Sequence, residues 1–173
     1  IFGAESDIDK ARDIVLYKHQ RSIYQIFKQR PTPVLVLYTA PTGTGKTLTP
    51  LGLSEKYKII FVCAARHVGL ALAKSAVSIG KRTAFAFGCN TESDIRLHNN
   101  SAADYEINQR SGGIGRINHN NGTRVEIMIC DLQSCVIASQ YMLKFNKTEQ
   151  MILYWDEPTI SLDFETHDLH TLI

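Results

Sequence analysis

Val34-Leu35-Val36-Leu37-Tyr38-Thr39, continued directly by Ala40-Pro41-Thr42-Gly43-Thr44-Gly45-Lys46-Thr47, is the stretch on which the fold turns. The first six residues are largely apolar without alternation, which predicts a parallel strand buried on both faces. Residues 48–56 are compatible with a helix. Eight residues must therefore carry the chain from a strand end into a helix start. Gly43 and Gly45 permit backbone conformations that a Cβ obstructs, so successive N–H groups can converge on one anion. The helix N-terminus adds a partial positive charge. Lys46 supplies a full charge for the β- and γ-phosphates, and the Thr47 hydroxyl suits a Mg²⁺ ligand. An ordinary glycine-rich turn is the bland alternative, but chance matches rarely sit between a strand and a helix. Residues 40–47 thus predict a cradle for a nucleoside triphosphate such as ATP.

Outward from the cradle, strand and helix signals alternate. Upstream, residues 14–27 read as a helix that Pro31 and Pro33 terminate. Downstream, residues 59–64 form a second continuous apolar strand, and residues 68–79 a helix closed by Gly80 at C′. Residues 83–87, 125–130 and 151–155 are further strands, with a helix over 132–145. The pattern changes at 88–123, where Asn, Ser, Gly and charged residues dominate. That segment reads as an insertion or long solvated surface loop, with a short helix around 102–107. Strand–helix alternation of this kind implies an α/β fold: a three-layer sandwich around a mostly parallel sheet, one domain over residues 1–173. Ligands of such sheets bind beyond the carboxyl ends of the strands.

The last strand runs into Asp156-Glu157-Pro158-Thr159. An acidic turn after a strand is common in isolation. Following a phosphate cradle, adjacent carboxylates at a strand end suit a nucleotide hydrolase: Asp156 to hold Mg²⁺, Glu157 to orient or deprotonate water. Lys46 and Glu157 are then the candidate catalytic residues. The histidines carry no ligand spacing; His167 and His170 share a helix face if that region is helical, but a third ligand is missing.

Bulk composition bounds the rest. The 173 residues are 44% hydrophobic, enough for one domain with a substantial core. Nineteen Lys and Arg against seventeen Asp and Glu leave a net charge of +2, which neither demands nor excludes nucleic acid. Cys63, Cys89, Cys130 and Cys135 contain no C-x-x-C pair, so neither a zinc site nor a disulfide framework is indicated. A reduced intracellular compartment, cytoplasm or nucleus, is the expected setting. No segment is apolar for the roughly 18 residues a membrane span needs, and the acidic N-terminus lacks a signal-peptide pattern. The chain begins with Ile1 and stops at Ile173 in what reads as structured sequence, from which a fragment of a longer protein is expected.

These residues resemble superfamily-two helicases of the DEAD/DEAH-like group. Residues 40–47 correspond to motif I, and Asp156-Glu157-Pro158-Thr159 to motif II. Leu16-Tyr17-Lys18-His19-Gln20 is similar to the Leu-x-x-x-Gln element of that group, whose Gln, here Gln20, reads the adenine edge. In overall impression the chain resembles helicase-like proteins of large DNA viruses. The resemblance implies a RecA-like ATP-binding domain, Mg²⁺ as cofactor, DNA or RNA as partner, and a second RecA-like domain that this chain lacks. Arg66 stands where the family touches the nucleic-acid backbone. The chain departs from the pattern elsewhere. Asp131-Leu132-Gln133-Ser134 lacks the usual Thr-Pro, motif II ends in Pro158-Thr159, and no Ser-Ala-Thr motif occurs by Ile173. Asp156-Glu157-Pro158-Thr159-Ile160-Ser161-Leu162-Asp163 also resembles the Walker B and D-loop of ABC-type ATPases. Ser111-Gly112-Gly113-Ile114 is a poor match to their signature. A nucleotide-binding scaffold without motor activity is the third alternative.

Overall fold

The computed structural model describes residues 18–29, 33–41, 43–98, 115–116 and 122–157. The chain divides into two compact units, residues 1–49 and 50–173.

In the first unit, helix α1 spans Lys18–Gln29, with Gln20 and Ile23 buried. The four residues expected to precede it in the same helix, 14–17, lie outside the described residues. Residues 34–41 form neither a helix nor a strand, and they join no ladder among the described residues. Leu35 and Leu37 are 99% and 88% exposed, whereas Val34, Val36 and Tyr38 are half-buried. The expectation of a strand buried on both faces is therefore corrected. An apolar run biases the local backbone toward an extended form, but a strand also needs a partner edge to satisfy its N–H and C=O groups. The Tyr38 ring lies against His19 of α1, with centroids 5.6 Å apart.

The second unit carries a mostly parallel sheet. Its strands are β1 (Lys58–Cys63), β2 (Thr83–Ala86), β3 (Arg96–Leu97), β4 (Gly115–Arg116), β5 (Ile127–Cys130) and β6 (Met151–Asp156). They lie in the order β4-β3-β2-β5-β1-β6. β2, β5, β1 and β6 run parallel, while β3 is antiparallel to both β2 and β4. Register is pinned by pairs such as Phe61 with Ile129 and Cys63 with Asp156. β1, β2 and β5 are buried along nearly their whole length, which is why their sequences are continuous rather than alternating.

Three helices accompany these strands. α2 (Thr49–Leu53) follows a 3₁₀ turn at Lys46–Leu48 and is shorter than the predicted 48–56, since Gly52 weakens its last turn. α3 (Arg66–Ser78) ends in a Schellman motif. There Gly80 adopts φ 80°, its N–H bonds the Val77 carbonyl at 2.9 Å, and the Lys81 N–H bonds Ala76 at 3.0 Å. α4 (Cys135–Leu143) packs Ala138, Tyr141 and Met142 on the sheet face formed by Ile60, Val62, Ala84, Ala86, Met128 and Cys130. The alternate residues point to the opposite face, where Gly69 of α3 meets Ile129. A helix on each face makes the unit an α/β sandwich.

The excursion after β2 differs from a solvated loop along its first part. Ile95 and Leu97 are fully buried and Cys89 is nearly so, and β3 extends the sheet. Sequence pattern missed this because two apolar residues among polar neighbours carry no measurable period. The predicted helix at 102–107 lies outside the described residues.

The two ends of the parallel sheet carry different chemistry. At the amino end, Glu126 accepts from the Arg82 backbone N–H at 3.0 Å and pairs with Lys81 at 3.7 Å, while Lys81 also pairs with Glu55 at 2.8 Å. At the carboxyl end, Asp131 accepts from the N–H groups of Gly88 at 2.7 Å and Ser134 at 2.8 Å. The buried Ser134 Oγ accepts from the Cys89 N–H at 2.8 Å, tying the loop after β5 to the loop after β2. Ser134→Ala strands that buried N–H, and is expected to cost about 1–3 kcal/mol in urea unfolding. A change under a few tenths would show that Cys89 finds another acceptor.

Candidate nucleotide site

The cradle belongs to the first unit. Gly43 and Gly45 adopt φ 79° and 77°, in the left-handed region the sequence expects. At Gly43 a Cβ would meet nothing within 4 Å, so the requirement there is purely conformational. At Gly45 it would also stand 3.2 Å from Gln20 Nε2. The Lys46 side chain folds back across the loop, its Nζ donating to the Ala40 carbonyl at 2.5 Å. Thr44 Oγ1 donates to the Pro41 carbonyl at 2.7 Å, tightening the turn. The Leu48 N–H then bonds the Gly45 carbonyl at 3.1 Å and opens the helical turn that Thr47 begins to occupy. Thr42 lies outside the described residues.

Gln20 reaches the cradle from α1. It is buried, and its Nε2 donates to the Gly45 carbonyl at 3.2 Å. Thr49 Oγ1 donates to the same carbonyl at 3.4 Å. With the Leu48 N–H, three donors on one carbonyl fix the peptide that follows Gly45 and so orient the N–H of Lys46. Gln20 is thus a residue that holds the loop, which the Leu-x-x-x-Gln resemblance alone did not indicate.

The carboxylates belong to the second unit. Asp156 ends β6 and is buried, opposite Cys63 in the register. Glu157 is exposed and adopts φ 51°. For a residue with a Cβ this conformation costs of order 1–2 kcal/mol, and such strain clusters at functional sites. Both carboxylates line a small cleft with Cys63, Ala64, Ala65 and Val68. Ala65 and Val68 belong to the start of α3, whose N-cap Ala65 offers no side-chain acceptor. Arg66, the first residue of α3, is exposed and its guanidinium lies 5.2 Å from the Phe87 ring centroid, a cation–π contact that orients it.

The donor sets fit what the sequence expects. A lysine ammonium spanning a left-handed glycine turn suits phosphate, and a buried carboxylate at a strand end suits a hard cation. Among the described residues no cluster of three or more His, Cys, Asp or Glu could hold a metal by itself. Among the described residues no helix is long and apolar enough to cross a membrane. No family model, curated protein or solved structure matches the chain.

Proposed function

We propose that the chain is the ATP-binding domain of a nucleic-acid helicase or translocase of superfamily two, with a RecA-like fold. The observation that carries the nucleotide half is the cradle's conformation: Gly43 and Gly45 left-handed, with Lys46 Nζ drawn across the turn. The order of motifs supports the hydrolase half, with a cradle first and a buried Asp156 followed by Glu157 at a later strand end. The helicase reading rests on the Ala-Pro opening of the cradle, on Gln20 before it and on the resemblance given above.

In this reading the N–H groups of residues 43–47 and Lys46 bind the β- and γ-phosphates. Thr47 and Asp156 are the residues that would hold Mg²⁺, which when bound would neutralise charge on the phosphates. Gln20 keeps the cradle shaped through Gly45. Glu157 orients water and takes its proton on the exposed carboxylate. Arg66 contacts the backbone of DNA or RNA. Catalysis of phosphoryl transfer is mainly positioning and charge stabilisation, and an arginine finger is worth about 10³–10⁵ in rate. A second RecA-like domain would supply it, so this chain alone is expected to bind Mg·ATP and to hydrolyse it slowly.

ATP turnover with and without single-stranded DNA or RNA tests the proposal. Stimulation by nucleic acid, together with a loss of about 10²–10⁴ in turnover for Glu157→Gln at retained ATP binding, is the expected result. Indifference to nucleic acid with ATP-driven dimerisation would replace the helicase reading by an ABC-type one. Unchanged turnover in Glu157→Gln would remove that residue from its role.

A further inference from the structure

Phe87 directly follows β2 at the carboxyl end of the parallel sheet, and its ring is half-buried. Three contacts hold it. Phe85, two residues back on the same face, stacks on it with centroids 6.4 Å apart and planes at 24°. A Cβ at Gly69 would stand 3.0 Å from Phe87 Cζ, so α3 lies directly against the ring. The backbone on either side is pinned by Asp131. Its N–H donates to the Ala86 carbonyl at 3.3 Å, and its Oδ2 accepts from the Gly88 N–H at 2.7 Å. Phe87 is therefore a fixed platform.

The Arg66 guanidinium lies over this platform, its Cζ 5.2 Å from the ring centroid. That is inside the reach of about 6 Å over which a cation is drawn to a ring face. Arg66 is exposed, and among the described residues it pairs with no carboxylate. The Asp131 carboxylate that pins Phe87 has both oxygens on backbone N–H groups, those of Gly88 and Ser134. The guanidinium N–H donors are thus left for an external acceptor, and their planar fork matches a phosphate. Ala65, the preceding residue, lines the cleft that holds Asp156 and Glu157.

We propose that Phe87 is a positioning residue for nucleic acid, holding the Arg66 guanidinium where a backbone phosphate meets it. The inference rests on the helicase reading above and deepens it by adding a residue to the nucleic-acid contact. A long exposed side chain loses rotamer freedom when it binds a phosphate. The ring imposes that order before the phosphate arrives. With the guanidinium over it, the ring supports a phosphate contact instead of stacking on a base.

Fluorescence anisotropy with fluorescein-labelled oligothymidine and oligouridine at low salt tests the proposal. Arg66→Ala is expected to weaken binding about tenfold or more, as for loss of a charged hydrogen bond. Phe87→Leu keeps apolar bulk without a ring and is expected to weaken binding about two- to fivefold. The double variant should bind as Arg66→Ala does, since Phe87 acts through Arg66. Phe87→Tyr retains the ring face and should restore wild-type affinity. Arg66→Ala should also reduce the slope of log affinity on log salt by about 0.7, whereas Phe87→Leu keeps the charge and the slope. Additive losses in the double variant, or no recovery in Phe87→Tyr, are the behaviour of a merely structural residue and would overturn the inference. Full affinity in Phe87→Leu beside impaired Arg66→Ala would overturn it while leaving the helicase reading standing. Binding that Arg66→Ala leaves untouched would remove both residues from the contact. A wild type that binds neither oligonucleotide would sink the helicase reading and the inference with it. Circular dichroism establishes that each variant is folded, and Phe87→Met is the second ring-free variant should the leucine not fold.

Discussion

Lys46→Ala is expected to weaken Mg·ATP binding by about 10- to 150-fold in titration calorimetry. A hydrogen bond to a charged group is worth about 1.5–3 kcal/mol, and each 1.4 kcal/mol is tenfold in affinity. The ammonium group is the one full positive charge within the eight-residue cradle, and its position over the Ala40 carbonyl puts it across the turn. Because that bond is made to a partly exposed loop, losing it should leave the thermal unfolding of the nucleotide-free chain nearly unchanged. Affinity and stability therefore separate. Equal affinities for wild type and variant would sink the assignment of 40–47 as a phosphate cradle.

Gly69→Ala is expected to destabilise the chain by about 1–3 kcal/mol, the cost of overpacking a well-filled site. For a domain of this size that lowers Tm by roughly 2–4 °C for each kcal/mol. The sign is opposite to what helix propensity predicts, since Ala is favoured over Gly by about 1 kcal/mol in a helix interior. The reason is the close approach of α3 to the sheet. A Cβ at Gly69 would stand 2.7 Å from Ile129 Cγ2, 2.9 Å from Cys63 Sγ and 3.0 Å from the Phe87 ring. Ile129 is β-branched and buried in β5, so it has little room to turn away. Phe87 carries the Arg66 guanidinium, and Cys63 lines the cleft with Asp156, so the adjustment would reach both. A urea midpoint at or above that of the wild type would show that α3 can lift away without cost.

Much of the second unit was legible in advance. The runs at 59–64, 83–87, 125–130 and 151–155 each became a strand within a few residues of the predicted limits. Continuous apolar runs of this length are diagnostic when both faces are covered. Gly80 was legible as a helix stop because a Schellman turn needs a left-handed residue at C′. Gly43 and Gly45 were legible for the same stereochemical reason.

Other features were not legible. Residues 34–39 have the same composition as the core strands, yet Leu35 and Leu37 face solvent and no ladder forms among the described residues. Ile95 and Leu97 sit in polar sequence and are fully buried. Burial depends on which surfaces meet, and neighbouring residues do not record that.

Sequence alone determined the left-handed glycines at 43 and 45, the positions of the four parallel strands, and the alternation that makes an α/β chain. Those properties are local, set by side-chain type, φ preference and hydrophobic period. Tertiary structure decided the rest. It set the strand order β4-β3-β2-β5-β1-β6, drew Gln20 onto the Gly45 carbonyl and closed Gly69 against β5. Each of these depends on packing and hydrogen bonding between residues apart in the chain, which residue type does not specify.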